Sequence, residues 1–281
     1  MSLPSNLKFA CSILKNIDGH EIKALKPDAD GCYPVVLGAL GGPTRNLVMY
    51  DPESVLQAMG PDTKFNISLQ NGYLFGELGH PDIYGKGPNG MDDIRRLLTI
   101  REDKVSHLFT EIHIDEKPIM VDGSLGYPIR AKVKPMGPYG EVLRKSLEDP
   151  MCNTAFSIRT LCRPMAGDDK RYTYRKVETL VTFDAVCAPG YALAAKRYVP
   201  GVESFSEIDV SREELLDAVH TAEAGMESGF MLTDKDIARI FNLPTRKVGN
   251  TTVSRLAGRH SLYDTEGNLV DTATLAYKNR R

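Results

Sequence analysis

The chain has 281 residues, of which 42% are hydrophobic and 26% are charged, as in an ordinary globular protein. Its formal net charge of −2 gives no reason to expect nucleic acid or an anionic membrane as a partner. The five cysteines are odd in number and contain no CxxC pair, so we expect no disulfide framework, metal site or other cofactor. The N-terminal segment has no apolar run typical of a signal peptide or membrane span, which favours a cytosolic protein.

Alternating apolar residues and turn residues predict a mostly β chain up to about residue 200. The strand-like runs lie at 33–42, 65–78, 104–115, 118–136, 153–164 and 175–189. Two helices are expected between them: one at 51–59, capped by Asp51, and one at 139–149. The stretch 81–92 is rich in Gly, Pro, Asn and Asp, which predicts an exposed loop. Short, spaced strands of this kind suggest a barrel or a sandwich.

The character of the chain changes near residue 198. The segment 198–211 is polar and punctuated, typical of a linker, and a helical pattern begins at Arg212. We therefore expect a domain at 1–197, a linker at 198–213 and a small helical segment at 214–281.

Three residues stand out chemically. His80 in "GELGHPD" lies between a glycine and a proline at the end of a strand, an open setting that suits a general base. Ser157 in "NTAFSIRTLCRP" lies inside an apolar strand-like run, where a serine is commonly a small polar filler. Asp184 in "LVTFDAVCAP" also lies in an apolar run, and a buried carboxylate needs a partner such as a histidine. A salt-bridge or turn role is the alternative for this aspartate.

Taken in order, these segments resemble the prohead core proteases of tailed phages, a family that shares the herpesvirus assemblin fold. The similarity covers roughly residues 70–195 and includes "KVSHLFTEIHID" and "VDGSLGYPIRAKVKPMGPYGEVLRKSLED" between the histidine and the serine. It implies an α+β protein with an assemblin-like β-barrel core surrounded by helices. It also implies a serine endopeptidase with His80 as base, Ser157 as nucleophile and Asp184 as the orienting acid.

The resemblance supplies further candidates around this triad. In the assemblin fold a turn with an arginine follows the serine strand and stabilises the oxyanion, a role for which Arg163 is the better-placed candidate. Arg159 shares the face of Ser157 in a strand and could assist directly or form an ion pair. Glu178 competes with Asp184 for the orienting role. His107 is a second-rank base, or else a histidine packed beside an apolar strand.

The family cleaves scaffold and major capsid precursor proteins inside the prohead, in the host cytoplasm, and finally cleaves itself. The resemblance implies cleavage after a Glu that follows a small or apolar residue by two positions. "SRE", ending at Glu213, fits this pattern directly after the predicted linker, and "GME", ending at Glu227, fits it too. We therefore expect a precursor that cuts its own tail near Glu213.

The C-terminal segment allows other functions. Residues 232–258 resemble a helix-turn-helix, with a first helix through Phe241, a turn at Asn242–Pro244 and a second helix containing Val248 and Val253. Residues 234–281 hold nine Lys or Arg and five Asp or Glu, a net charge of +4 that is compatible with phosphate contacts. The alternatives are a propeptide or scaffold-binding module in a zymogen, and a catalytically inactive capsid or scaffold protein.

Overall fold

The computed structural model describes residues 7–13, 24–44, 47–81, 91–121, 124–152, 154–187, 207–225, 229–241, 245–248, 251–256, 259–263 and 269–270. The chain divides into two compact units, of which the larger ends at Met231 and the smaller begins at Leu232. The candidate site residues all belong to the larger unit.

Two open sheets form the framework of the larger unit. Its described strands are β1 (Leu7–Ile13), β2 (Tyr33–Leu40), β3 (Val48–Tyr50), β4 (Phe75–Glu77), β5 (Val105–Ile114), β6 (Ile119–Val121), β7 (Ser124–Pro135), β8 (Thr154–Met165), β9 (Thr173–Cys187) and β10 (Glu207–Val210). The first sheet has the order β10-β1-β8-β9-β3 and is antiparallel except between β3 and β9. The second has the antiparallel order β2-β7-β5-β4, with β6 added beside β7.

Short helices surround the sheets. They are α1 (Pro52–Ala58), α2 (Lys64–Gln70), α3 (Met91–Leu98), a 3-10 turn (Glu102–Lys104), α4 (Gly140–Glu148) and α5 (Arg212–Gly225). The predicted helices at 51–59 and 139–149 are confirmed by α1 and α4, and Asp51 caps α1 by accepting a hydrogen bond from the Ser54 amide. No described helix is both long and apolar enough to cross a bilayer.

One predicted strand is a helix. The run 65–78 contains α2 in its first half, and only its second half contributes β4. The alternation of Phe65, Ile67 and Leu69 was misleading, because the chain buries Phe65 and Ser68 instead and leaves Ile67 exposed. A spacing of three residues is the helical period, and Thr63 caps the helix by accepting from the Asn66 amide.

The two sheets meet where β4 lies against the C-terminal half of β9. Leu78 forms a single parallel bridge with Ala185, and the Thr182 hydroxyl donates to the carbonyl of Phe75 at 2.6 Å. A single bridge is not a continuous ladder, and neither sheet closes on itself among the described strands. The α+β class is therefore confirmed, whereas the predicted barrel is not supported.

Aromatic rings fill the space beside this junction. Phe109 on β5 packs edge-to-face against Phe183 on β9, with ring centroids 6.2 Å apart, and tilted against Phe156 on β8 at 6.5 Å. All three rings are buried, and burial of each such ring contributes about 1.5–3 kcal/mol to stability. This packing connects the strand that carries Ser157 to the second sheet.

The structure differs from the predicted linker and tail. Of the predicted linker, 198–206 lie outside the described residues, 207–210 form β10 paired with β1, and Arg212 begins α5. The helix α5 packs against α3 through a buried apolar face consisting of Leu215, Ala218, Val219 and Ala222. Glu213 is exposed but lies in the first turn of α5. The prediction that the bond after Glu213 lies in an accessible linker is therefore wrong.

The smaller unit is not a helix-turn-helix. Its helix α6 (Asp234–Ile240) is capped by a reciprocal pair between Thr233 and Asp236. After it come four antiparallel strands, β11 (Thr245–Val248), β12 (Thr251–Leu256), β13 (Arg259–Tyr263) and β14 (Leu269–Val270). The predicted second helix is therefore wrong. Its residues form the paired strands β11 and β12, consistent with their β-branched threonines and valines.

Candidate active site

Ser157 and Asp184 face each other across neighbouring strands. They are directly paired in the antiparallel register of β8 and β9, so both side chains project from the same side of the sheet. Both are 0% exposed. The Ser157 hydroxyl has no hydrogen-bond partner among the described residues. A buried hydroxyl without a partner is unusual in a folded protein, and one that lies opposite a buried carboxylate suits a nucleophile.

His80 reaches the same place from the other sheet. The Gly79 amide donates to the carbonyl of Ala185 at 2.8 Å, beside the Leu78 bridge, which ties the chain before His80 to the residue after Asp184. Gly79 makes this turn with a φ of 80°, a conformation that favours glycine. The Nδ1 atom of His80 is buried and has no hydrogen-bond partner among the described residues.

The surroundings of His80 keep its imidazole neutral. Burial lowers the pKa of His80 below its ordinary value, the Asp184 charge opposes this effect, and the Arg159 charge adds to it. A neutral imidazole can accept a proton, which is what a general base requires. His80 and Asp184 share no hydrogen bond, so the carboxylate acts on the ring only through its charge.

The hydrogen-bonded partner of Asp184 is an arginine. Nε and Nη2 of Arg159 donate to the two oxygens of Asp184 at 2.8 and 2.6 Å, and the Glu77 amide donates to Oδ1 at 3.1 Å. Burial raises the pKa of Asp184, and the Arg159 guanidinium opposes that rise. The sequence argument that this carboxylate needs a partner therefore holds, but the direct contact is with Arg159 rather than His80.

Arg159 is itself enclosed. Its side chain is 0% exposed, and Nη1 donates to the carbonyls of Leu97 and Thr99 at 3.4 and 3.1 Å. It shares the Ser157 face, as the strand pattern predicted, and it forms the ion pair that was one of its two expected roles. Since its donors are directed to Asp184 and to these carbonyls, its position suits support of Asp184 better than contact with substrate.

A second ion pair, between buried Glu77 and half-buried Arg96, lies next to the first. Glu77, the last residue of β4, accepts from Nη1 and Nη2 of Arg96 on α3 at 2.9 and 2.5 Å and lies 3.4 Å from Nη2 of Arg159. Burial raises the pKa of Glu77, but the charges of Arg159 and Arg96 and the Arg101 amide outweigh burial and hold it below the ordinary value. Two arginines and two carboxylates thus form a charge-balanced cluster that is largely buried.

Arg163 and Glu178 lie elsewhere. They pair with each other, with Nε of Arg163 2.8 Å from Oε1 of Glu178. Strand β8 continues through Met165, so the predicted turn at Arg163 does not form. Arg163 is six residues from Ser157, a separation of about 20 Å along a strand.

His107 is a core residue. It is 0% exposed, its Nδ1 lies 2.8 Å from the Ser106 hydroxyl, and its Nε2 lies 3.2 Å from the Phe183 carbonyl. Because a carbonyl only accepts, Nε2 carries the proton and Nδ1 accepts from Ser106. Burial lowers the pKa of His107 to about 3. The glycine at position 76 makes room for this ring, since a Cβ there would lie 2.3 Å from it. The geometry matches the packed histidine that was the alternative to a second base.

Sequence reasoning missed Glu77 and Arg96. Glu77 belongs to the "GELGHPD" motif that drew attention to His80, but its carboxylate was assigned no role. Arg96 lies in α3, which the sequence did not predict. An Asp-Asp pair followed by apolar residues at positions 94, 97 and 98 was the available signal for that helix.

Comparison with known proteins identifies the class of enzyme. The sequence matches the Peptidase S80 family over residues 9–238, a range that contains every residue of the buried cluster, Ser157 and His80. The chain therefore belongs to the Peptidase S80 family.

One relative agrees with this assignment. The chain is 31% identical to the capsid maturation protease of Pseudomonas phage phiKZ over 222 residues, which cover 75% of this chain and 78% of that protein. The resemblance to phage prohead proteases is thereby confirmed. A further structural match is the capsid assembly protease of bacteriophage T4, with a TM-score of 0.41, 12% identity and coverage of 64% of this chain and 98% of that one.

Proposed function

We propose that the protein is a serine endopeptidase that cleaves phage capsid and scaffold precursor proteins during prohead maturation. Two buried polar atoms, Ser157 Oγ and His80 Nδ1, carry this proposal, because neither has a hydrogen-bond partner among the described residues. Ser157 lies opposite Asp184 in the sheet, and His80 follows Gly79, whose amide donates to the carbonyl of Ala185. Membership of a peptidase family and the name of the phiKZ relative support the substrate class. The working place would be the interior of the prohead, in the host cytoplasm.

In the proposed mechanism Ser157 Oγ attacks the carbonyl carbon of the scissile bond while His80 removes its proton. The imidazolium then gives that proton to the leaving amine, which leaves an acyl group on Ser157. A water molecule, deprotonated by His80, attacks the ester and restores the serine. Asp184 stabilises the imidazolium through its charge, and Arg159 keeps the carboxylate in place. Because Ser157 has no exposed surface, a substrate reaches it only after its surroundings move.

Substrate preference follows the resemblance stated above. We expect cleavage after Glu, two positions beyond a small or apolar residue, which requires a cationic subsite. Self-cleavage after Glu213 is part of the same proposal, but the bond lies in the first turn of α5. Ser211 and Glu214 hold this turn: the Ser211 amide donates to Glu214 Oε2 at 2.8 Å, and the Glu214 amide donates to Ser211 Oγ at 3.2 Å. The bond is cleaved only when that turn opens.

The test is cleavage of a scaffold or capsid precursor by the purified full chain. Wild type should release fragments that end in Glu, and Ser157→Ala and His80→Ala should each lower the rate by at least about 10³-fold. The two losses should not add, because both residues act in one step. Full activity of Ser157→Ala would refute the serine mechanism. Inactivity of folded wild type towards every precursor, and towards its own tail, would favour a structural capsid protein instead.

A further inference from the structure

The ion pair between Arg96 and Glu77 is connected by further hydrogen bonds to the Asp184–Arg159 pair. Oε1 of Glu77 accepts from the Arg101 amide at 2.8 Å in addition to Arg96 Nη1. Its backbone amide donates to Asp184, and its carboxylate faces Arg159. One residue therefore contacts both members of the Asp184–Arg159 pair and lies three positions before His80.

Arg96 connects this residue to the support of Arg159. Nη1 of Arg96 donates to the Thr99 carbonyl at 3.2 Å, and Nη1 of Arg159 donates to the same carbonyl at 3.1 Å. The backbone on either side of Thr99 is fixed by hydrogen bonds from Ile100 N to Gly229 O at 2.9 Å and from Met231 N to Leu98 O at 2.8 Å. Arg96 and Arg159 are thus held on one fixed acceptor, with Glu77 between them.

The charges explain why this arrangement matters for His80. Asp184 on β9, Arg159 on β8, Glu77 on β4 and Arg96 on α3 are the charged groups that converge on this corner among the described residues. Without Arg96, Glu77 would compete with Asp184 for Arg159. Without Glu77, Arg159 and Arg96 would carry an uncompensated positive charge beside the site. Loss of Arg96 makes the surroundings of His80 more negative, and loss of Glu77 makes them more positive.

Building on the proposed function, we propose that Arg96 and Glu77 are positioning residues of the protease. They hold the Arg159 guanidinium on Asp184 in one orientation, so that the Asp184 charge remains directed at the imidazole of His80. Neither contacts substrate. Their effect on cleavage passes through Asp184 and His80.

The experiment measures the pKa of His80 by NMR in the full chain carrying Ser157→Ala, which prevents self-digestion. Arg96→Gln makes the cluster more negative and should raise this pKa by about half a pH unit or more, whereas Glu77→Gln should lower it by a similar amount. The double variant, which removes one charge of each sign, should return it towards the starting value. Glu141→Gln and Arg144→Gln alter an exposed Arg–Glu pair on α4 and should leave it unchanged.

The second measurement is the cleavage rate of the same variants in a chain that keeps Ser157. Arg96→Lys keeps the charge but not the two-pronged contact, so it should leave the His80 pKa in place while lowering kcat several-fold with little change in KM. Arg96→Lys also tests the positioning role of Arg96 if Arg96→Gln and Glu77→Gln do not fold. A His80 pKa that does not move, or moves in the same direction in Arg96→Gln and Glu77→Gln, overturns the proposal, as does a wild-type kcat in Arg96→Lys. The NMR measurement does not require proteolysis, so failure of the proposed function would show separately as inactive wild type.

Discussion

Asp184 lies opposite Ser157 in the sheet, yet its carboxylate oxygens are held by Arg159 at 2.8 and 2.6 Å. The acid therefore has its charge compensated and its orientation fixed from behind. Its influence on His80 is electrostatic in this conformation. Arg159 therefore orients Asp184 through hydrogen bonds, whereas Asp184 acts on His80 through its charge. The expected effects of substitutions differ from those in a triad in which the acid is hydrogen-bonded to the histidine.

Ser157→Ala should abolish proteolysis without lowering stability. The Ser157 hydroxyl is buried and unpartnered, so its removal relieves a desolvation cost of about 1–3 kcal/mol and leaves only a small void. The melting temperature should stay the same or rise. Thr160→Val is the matched control, because the Thr160 hydroxyl is also buried without a partner, three residues further along the strand. This variant should keep both fold and activity. A clear drop in melting temperature for Ser157→Ala would mean that its hydroxyl makes a stabilising contact.

Asp184→Asn should be far more harmful than Glu178→Gln. The first change removes the carboxylate that Arg159 contacts with two nitrogens and leaves the cluster with one excess positive charge, which costs about 3–5 kcal/mol. It also removes the charge that stabilises the His80 imidazolium. The second disrupts a partly exposed pair with Arg163, worth about 1 kcal/mol or less.

The measurement is the cleavage rate per folded molecule, with circular dichroism as the check on folding. Asp184→Asn combined with Arg159→Gln leaves no uncompensated charge from this pair, so it tests activity even if the single variant unfolds. Equal activity of the Asp184 and Glu178 variants would remove Asp184 from the mechanism.

His107 should make the protein sensitive to acid through stability rather than through catalysis. Its pKa is about 3 in the folded protein and about 6.5 in the unfolded chain, so the unfolded chain binds the proton more readily between these values. Stability is therefore intact above about pH 6.5. Below it, stability falls by up to about 1.4 kcal/mol per pH unit until about pH 3.

Denaturant unfolding at several pH values between 4.5 and 7 measures this slope. His107→Gln, which carries no titrating group, should be less stable at pH 7. Its unfolding free energy should depend less steeply on pH, because unfolding takes up about one proton fewer. An unchanged slope would mean that the acid sensitivity comes from other groups, including His80, whose pKa is also lowered.

Local sequence features predicted the parts of the site that depend on strand register. Ser157 and Asp184 lie in the predicted strand-like runs 153–164 and 175–189, and these runs form the neighbouring strands β8 and β9. The two-residue spacing of Ser157 and Arg159 correctly placed both on one face. The Arg96–Glu77 pair could not be predicted in this way, because it joins a helix to a strand end 19 residues away, and only the meeting of the two sheets brings both to Arg159. The predicted linker failed for a similar reason, since its pairing partner β1 lies at the other end of the chain.

Cleavage after Glu213 should be limited by the opening of α5. The bond lies within the first turn of this helix, whose apolar face is buried against α3, so a protease cannot extend the chain there without unwinding it. Ser211→Ala is a selective probe, because alanine keeps the small residue two positions before Glu213 but loses the cap on the Glu214 amide. Loss of such a cap costs about 1 kcal/mol, which should raise the cleavage rate up to about five-fold. Intact mass spectrometry over time measures the product that ends at Glu213, with Glu213→Ala as the negative control. Faster cleavage in Ser211→Ala supports helix opening as the limiting step. An equal rate would mean that the bond is accessible in the folded chain, and the absence of this product from active wild type would remove Glu213 as the processing site.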